Sequence, residues 1–252
     1  MKKRIFLKRL VPVAALTAAA ATGCVFNATR VTTQKSGQVS SEGLMVASLD
    51  IQNYSGNITV TGTDDSVVAA TATVSEIAIQ GSSQLAADQF AVTVTSANGV
   101  GTVGFSIAGG GDQWELLKME DVTLTSNRAL DMWAATASGN INCTGIDGFV
   151  DLETNSGNIT TDVVHGCYCA VTSGDINVTL RPDSTFGSAT LQTTSGNIKV
   201  TVPAGFKANL SLSAKSGTIR TPHGDASNLN GGNSAAVITC SVTSGNITIE
   251  EE

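Results

Sequence analysis

The segment VDLETNSGNITT, residues 150–161, alternates apolar and polar side chains on both sides of a Ser-Gly turn. Successive side chains of a β-strand point to opposite faces, so this alternation predicts strands with one buried face. Gly157 predicts a positive φ at the corner, a conformation that other residues resist. Asn158, which follows it, also tolerates left-handed geometry. The segment therefore predicts two half-buried strands joined by a tight corner.

The same pattern occurs seven times along the chain. The glycines of the seven copies are Gly56, Gly139, Gly157, Gly174, Gly196, Gly217 and Gly245. From the second copy onward, the spacings between these glycines are 18, 17, 22, 21 and 28 residues. Two positions after each Gly stands an isoleucine: Ile58, Ile141, Ile159, Ile176, Ile198, Ile219 and Ile247. One such repeat cannot bury its apolar row alone, so the copies must stack on one another.

Three further positions, counted from each Gly, are mostly apolar. They stand four residues after it (Val60, Cys143, Thr161, Val178, Val200, Thr221, Ile249), five before it (Ile51, Ala134, Leu152, Cys169, Leu191, Leu212, Cys240) and seven before it (Leu49, Met132, Val150, Cys167, Ala189, Leu210, Ile238). Strands stacked about 4.8 Å apart would place Ile over Ile inside and Asn over Asn at the turns. The sequence predicts an all-β fold, a β-solenoid-like stack of about 20-residue repeats in a single elongated domain with a less regular first half.

Residues 61–130 interrupt the repeats. Alternation predicts strands at residues 65–74, 90–95, 100–107 and 122–125, and a short helix at residues 82–89. We expect these strands to continue the same sheets. The chain ends in Glu250, Glu251 and Glu252. Three carboxylates at the open end of the stack would discourage edge-to-edge pairing, so the last strand is expected at that end.

The N-terminus has the layout of a secretory signal. Five basic residues (Lys2, Lys3, Arg4, Lys8, Arg9) precede an apolar stretch at residues 10–21, which is too short to span a bilayer. Ala21-Thr22-Gly23-Cys24 resembles a bacterial lipobox, in which the Cys is acylated after cleavage. The sequence predicts a lipoprotein signal peptide at residues 1–23, a lipidated Cys24 with a flexible tether to residue 44, and a β-repeat domain at residues 45–252.

Charge and compartment narrow the choice of partners. None of the 21 acidic residues and five of the 14 basic ones precede Cys24, so the mature chain would carry nine basic residues and a net charge of −12. This acidity argues against nucleic acid as a partner and leaves membrane attachment to the lipid. We expect a cell-envelope location. Val25 follows Cys24 directly. An Asp at this position resembles a signal that retains a lipoprotein in the inner membrane, so its absence favours the outer membrane if the organism has two membranes.

Four cysteines remain in the mature chain: Cys143, Cys167, Cys169 and Cys240. All four stand in predicted core columns, which favours buried thiols that fill space. The Cys-x-Cys pair near His165 admits a metal site, but zinc usually takes three or four N or S ligands. A disulfide between Cys167 or Cys169 and Cys143 or Cys240 also remains open. No cofactor motif is present.

An acidic cluster is the one candidate for catalysis. Asp151 and Glu153 face outward on one predicted strand, with Asp147 just before it. Such carboxylates could act as an acid–base pair on a carbohydrate or bind Ca²⁺. The neighbouring repeats offer Asn, Thr and Ser, and no aromatic groove for sugars is evident, which favours a solvated strand face. The two histidines, His165 and His223, each precede a Gly at a predicted turn, and no nucleophile elbow is present.

The repeats resemble a bacterial family of adhesin-like proteins of unknown function that share a toastrack-type β-repeat domain. The residues that carry the resemblance are 56–60 (GNITV), the copies from Ser138 to Ile247, and the strand and turn at residues 200–205 (VTVPAG). The resemblance covers about residues 45–252. It implies a non-enzymatic surface for adhesion and no catalytic motif. The sequence thus favours an envelope lipoprotein that binds a protein or glycan, with two alternatives: a carbohydrate-active β-helix enzyme, and a sensing or regulatory interaction protein.

Overall fold

The computed structural model describes residues 28–40, 47–65, 67–79, 90–97, 100–107, 117–230 and 235–252. The regular elements in these ranges are all β-strands, and none of the ranges contains a helix long and apolar enough to cross a bilayer. The predicted signal peptide, Cys24 and the predicted helix at residues 82–89 lie outside the described residues.

The strands form two sheets, numbered here in chain order. Sheet A holds, in spatial order, β1 (Ala28–Ser40), β4 (Val67–Ile79), β7 (Leu117–Asn127), β3 (Ile58–Thr63), β9 (Ile141–Thr144), β11 (Ile159–Val163), β13 (Ile176–Leu180), β15 (Ile198–Val202), β20 (Ile247–Glu251) and β17 (Ile219–Arg220). Sheet B holds β18 (Asn228–Leu229), β16 (Ala208–Ser216), β19 (Val237–Ser244), β14 (Ser188–Ser195), β12 (Gly166–Ser173), β10 (Val150–Ser156), β8 (Asp131–Ser138), β2 (Ser48–Ser55), β6 (Val100–Ile107) and β5 (Phe90–Ala97).

Each repeat gives one strand to each sheet and turns at its Ser-Gly corner. β10 lies in sheet B and β11, which follows it, lies in sheet A. Neighbouring repeats pair in parallel and in register, so that Ile159 lies between Ile141 and Ile176. The predicted all-β, solenoid-like stack is therefore confirmed.

The core lies between the two sheets and is built from the four predicted columns. Their members are buried, except for three in the Ser216-Gly217 repeat: Leu212, Ile219 and Thr221. This repeat supplies β16 and β17, which lie at or next to the end of each sheet. Its side chains are partly exposed because a terminal rung has a full neighbour on one side only.

The stack does not follow the order of the chain at its C-terminal end. β19 lies between β14 and β16, and β20 lies between β15 and β17. The expectation that the last strand forms the open end is therefore wrong, and the preceding repeat forms that end. All copies share the same corner motif and the same columns, so the sequence of a repeat does not specify which copy lies beside it.

The first half extends both sheets, as expected. β4 and β7 continue sheet A, while β6 and β5 continue sheet B. The structure differs from the expected tether over Ala28–Ser40, which pair as β1 with β4 in an antiparallel register of 13 residues. Residues 25–44 lack an apolar period because an edge strand can be held by main-chain hydrogen bonds, which need no such pattern.

Candidate functional site

The corner glycines are required by backbone geometry. Gly174 has a φ of 144°, and a Cβ built on it would lie 2.1 Å from the carbonyl oxygen of Gly157. A Cβ built on any of the corner glycines from Gly139 to Gly245 would lie only 1.8–2.1 Å from the carbonyl oxygen of the adjacent corner. The corners of adjacent repeats are so close that no side chain fits between them. The recurring geometry of the corner therefore serves stacking.

A ladder of side chains runs along the corners. In each repeat the residue after the Gly donates its backbone N–H to the side-chain oxygen of the equivalent residue in the repeat before it in the stack, at 2.7–3.0 Å. The ladder runs in the order Asp121, Asn57, Asn140, Asn158, Asp175, Asn197, Asn246 and Thr218. The predicted Asn-on-Asn stacking is confirmed, and the side-chain oxygens of the ladder accept hydrogen bonds from the next corner.

Threonines three residues before the Gly complete the corners in three repeats. Thr136, Thr154 and Thr193 are buried, and their hydroxyls donate to the carbonyl oxygens of Gly56, Gly139 and Gly174 at 3.1–3.2 Å. These bonds satisfy buried polar groups that would otherwise be costly. The Ser-Gly-Asn-Ile motifs are thus architecture, and a functional site must be sought among the outward side chains.

The predicted acidic cluster is divided between two places. Asp147 lies in the loop between β9 and β10, where Arg128 contacts it at 4.0 Å and also contacts Asp64 at 2.8 Å. Asp151 and Glu153 lie on the outward face of β10, in sheet B. Asp151 and Glu153 therefore remain together, whereas the carboxylate of Asp147 faces the guanidinium of Arg128.

Two aromatic residues flank Asp151 on the outer face of sheet B. Trp133 of β8 and Tyr168 of β12 are its register partners on either side, and Asp50 of β2 is the next partner beyond Trp133. Adjacent strands lie about 4.8 Å apart, so acid and aromatic side chains alternate along one line. We call the four residues Asp50, Trp133, Asp151 and Tyr168 the acid–aromatic row. All four are partly exposed.

The row is electrostatically unusual. Burial, and then the charge of Glu153, raise the pKa of Asp151 to about 6. Burial also raises the pKa of Glu153. The pKa of Tyr168 is raised by burial and then by the charges of Glu153 and Asp151. The two carboxylates and the phenol are therefore close enough to disfavour one another's ionisation.

One oxygen of Asp151 has no partner. Its Oδ1 is inaccessible to solvent and makes no hydrogen bond within the described ranges. Glu153 has Ala135 and Ala170 as its register partners, and neither side chain can donate a hydrogen bond to its carboxylate. An unpaired buried acceptor is costly, and in native proteins such groups often mark functional sites.

The sequence contains a signal for this row, but the signal is a shared position and not a recurring residue type. Asp50, Trp133, Asp151 and Tyr168 all stand six residues before a corner Gly, between two core columns. The corner and the core columns are evident in the sequence because the same residue, or the same apolar character, recurs at each of their positions. The row has no recurring type, so it emerges only when unlike residues are followed across the stack.

Cys143, Cys167, Cys169 and Cys240 are buried free thiols in the core. Cys167 lies between Val150 and Ala189, and Cys169 between Leu152 and Leu191, as predicted from the stacking. Burial raises the pKa of Cys143 to about 12 and raises that of Cys240 further. A hydrogen bond with Cys167, and then burial, raise the pKa of Cys169. Among the described residues, no three His, Cys, Asp or Glu side chains are placed to share a metal ion.

Thiol labelling tests this arrangement. In the full chain carrying Cys24→Ser, we expect the four thiols to resist a thiol reagent at pH 8 while the protein is folded, because burial keeps them protonated and covered. Unfolding without reductant should release four reactive thiols per chain. Ser241→Cys, on the exposed face of β19, should react at once and serves as the control. A count of two or fewer thiols in the unfolded chain would show a disulfide instead.

The two histidines lie in loops, His165 between β11 and β12 and His223 between β17 and β18. His165 Nε2 is 3.5 Å from Asp183 Oδ2, and His223 Nε2 is 3.6 Å from Glu251 Oε2. Both side chains are about half exposed, and the carboxylates nearest to them are not those of the acid–aromatic row. They therefore add no acid–base partner to Asp151 and Glu153.

The fold and its corner motif match a known family. The family model described as Toastrack DUF4097 covers residues 32–250 of the chain. The chain belongs to the Toastrack DUF4097 family. This confirms the resemblance drawn from the seven copies. The match begins within β1, so the Toastrack domain includes part of the segment predicted as a tether.

Solved structures are similar to this Toastrack chain at low identity. A "putative cell adhesion protein" from Clostridium sporogenes is 11% identical, with 88% of this chain and 100% of that chain covered and a TM-score of 0.42. A "putative adhesin" from Bacteroides fragilis is 14% identical, with 86% and 97% covered and a TM-score of 0.43. One from Parabacteroides distasonis is 15% identical, with 88% and 97% covered and a TM-score of 0.34. No curated protein matches the chain.

Proposed function

We propose that this Toastrack protein is a non-enzymatic envelope lipoprotein that binds a partner through the outer face of sheet B. The predicted acylation of Cys24 would hold it at the membrane, and the stacked sheets would present the binding face as a rigid surface. The acid–aromatic row is the observation that carries the proposal. Partly exposed Trp and Tyr are the residues most enriched at the centres of protein interfaces.

The outer face of sheet A provides the contrast. The residue that follows each corner isoleucine points outward from sheet A. In the paired strands these residues are polar or charged: Asn142, Thr160, Asn177, Lys199 and Thr248. Such a face is readily solvated and offers no apolar anchor. None of the described strands of sheet A contains an aromatic residue, whereas sheet B presents the partly exposed Trp133 and Tyr168, which favours sheet B as the binding face.

The enzyme alternative receives less support from the geometry. It relied on three carboxylates, of which Asp147 lies in the loop before β10 with Arg128 beside it and does not contribute to the raised pKa of Asp151. Asp151 and Glu153 lie on an open strand face, whereas catalysis on a sugar calls for carboxylates on both sides of the bond. We therefore assign Asp151 and Glu153 a role in binding.

Photo-crosslinking in living cells tests the proposal. A photoreactive phenylalanine analogue at Ala135, beside the acid–aromatic row, should capture a specific envelope partner identified by mass spectrometry. The same analogue at Asn177, on the outer face of sheet A, is the matched control and should not capture that partner. Identical capture from both positions, or none from Ala135, would contradict a binding role for sheet B.

A further inference from the structure

We infer that the acid–aromatic row binds the cationic side chain of a lysine or arginine on a partner protein. The inference rests on the proposed function and names the chemistry of its site. It is drawn from the charge of the surface, the placement of the rings around Asp151 and the polar surroundings of the row.

The five strands around the row carry negative charge and no positive charge. None of the strands β2, β8, β10, β12 and β14 contains a Lys, Arg or His. Their outward side chains include Asp50, Asp151 and Glu153, all within neighbouring strands. A cation from outside the chain would therefore meet the carboxylates of Asp151 and Glu153 on strands that carry no basic side chain, which is the complementarity that guides charged partners to a surface.

The rings are placed to receive such a cation. Trp133 and Tyr168 lie one strand to either side of Asp151, so about 10 Å separates their strands, with the carboxylate between them. Ammonium and guanidinium groups are attracted to the faces of aromatic rings, and Trp is the strongest of the three aromatic partners. An incoming side chain would thus meet the carboxylate of Asp151 with an aromatic residue on the strand to either side of it.

The pair of carboxylates at Asp151 and Glu153 favours a charged donor over a neutral one. The two groups are close enough for the charge of Glu153 to raise the pKa of Asp151, and because Oδ1 of Asp151 is covered, a ligand can reach the pair only through its partly exposed atoms. A sugar hydroxyl could donate to such an atom but would leave the two negative charges uncompensated. An ammonium has three donors and a guanidinium has five, and both also neutralise charge.

The surroundings favour a protein over a free amine. The row is flanked by neutral polar side chains at Gln52, Thr190 and Gln192. An aromatic and charged centre within a polar rim is the usual arrangement of a protein interface, where the rim excludes water from the centre. The face is an open sheet, and a macromolecule can cover such a surface whereas a small amine would stay largely solvated.

The site should respond to pH. The groups that face Asp151 on the row and beside it are Glu153, Tyr168 and, beyond Trp133, Asp50. Because the pKa of Asp151 is about 6, its charge is present above that pH and is lost as the pH falls through it. Binding of a cation should therefore weaken between about pH 7 and pH 5. A bound cation would favour the charged form and lower this pKa.

Peptide binding to the full chain in mild detergent tests the inference. The probe is a lysine-rich peptide, and the same peptide with every lysine acetylated is its control. Isothermal titration calorimetry measures the affinity of every variant, and the fluorescence of Trp133 in a Trp114→Phe background shows that the peptide binds at the row. We expect the unmodified peptide to bind and the acetylated one to bind at least tenfold more weakly. Asp151→Asn and Trp133→Ala should each weaken binding about tenfold.

Two control variants separate the site from general attraction to an acidic protein. Glu250→Gln removes the same charge from the outer face of sheet A, and Thr239→Ala alters the same line of sheet B three strands from Asp151. Both should bind the peptide as the unaltered chain does. Asp151→Asn should also raise the thermal stability at pH 7 while it weakens binding, because it removes a charge that burial disfavours. A merely structural role for Asp151 would lower both.

The remaining outcomes would overturn the inference in distinguishable ways. Equal loss of binding in Asp151→Asn and Glu250→Gln would mean general electrostatic attraction. Tighter binding of a chitosan oligosaccharide, with the same dependence on Asp151 and Trp133, would identify an amino sugar as the ligand instead. If no cationic probe binds while the analogue at Ala135 still captures a partner, the binding face stands and the cationic ligand is wrong. If both experiments fail, the proposed function fails with it.

Discussion

Replacing Ile176 with Asp should prevent the domain from folding. Ile176 is fully buried and lies in register between Ile159 and Ile198, in the middle of the corner column. Loss of its burial costs about 1.5–3 kcal/mol, and a carboxyl group placed there without a partner costs several kcal/mol more. The sum is comparable with the whole stability of a typical domain, about 5–15 kcal/mol. Circular dichroism during heating should show no cooperative transition.

The same substitution at the end of the stack is the matched control. Ile219 occupies the same column but is only partly buried, because its repeat forms the terminal rung. Ile219→Asp should leave the domain folded, with a loss of about 1–2 kcal/mol, since the carboxylate can reach water. If Ile176→Asp melts cooperatively at the temperature of the unaltered chain, the position cannot be buried in the core.

Replacing Gly174 with Ala should destabilise the domain by about 3–5 kcal/mol, the sum of backbone strain and a close contact. The added Cβ would enter a space 2.1 Å from the carbonyl oxygen of Gly157, and the φ of 144° is itself strained for alanine. Strain of this kind costs about 1–3 kcal/mol, and separation of the two corners would add the loss of ladder hydrogen bonds. Denaturant unfolding measures the change.

Two other glycines separate the contributions of strain and contact. Gly205 has a positive φ of 75°, but no atom lies within 4 Å of the place that a Cβ would take, so its replacement by Ala carries backbone strain alone. Gly187 has neither a positive φ nor a near neighbour, and its replacement should change the stability by less than about 0.5 kcal/mol. We expect the losses to rise from Gly187 to Gly205 to Gly174. Equal losses at Gly205 and Gly174 would mean that the close contact between corners is unimportant.

The core of the stack could be predicted because its signals are local and repeated. Ile141, Ile159 and Ile176 share one spacing from a corner glycine, and each alternates with polar residues. This alternation follows from burial of one face of each strand, and it does not depend on which repeat lies next in the stack. The ladder of Asn residues followed for the same reason, since identical residues at identical positions must meet when identical units stack.

The order of the rungs and the acid–aromatic row could not be predicted in this way. Leu212 and Ile219 carry the same pattern as their counterparts, and only the insertion of β19 and β20 makes them terminal. Trp133, Asp151 and Tyr168 stand at the same distance from their corner glycines, but they differ in type, so no recurring residue marks the position. Both features depend on which side chains of different repeats come into contact. The pattern within one repeat shows only which of its own side chains are buried.

The insertion of the last repeat between two earlier ones has a consequence for how the protein is made. A chain that emerges N-terminus first contains β16 and β17 before the strands on which they finally rest, β19 and β20, have been synthesised. Their corner, at Gly217, has the same geometry as that of Gly245 and could meanwhile rest on the corner of Gly196. Completion of this end of the stack therefore requires β19 and β20, because they take an interior place between strands that are synthesised before them. The synthesis of β19 and β20 sets the earliest moment at which β16 and β17 can reach their final neighbours.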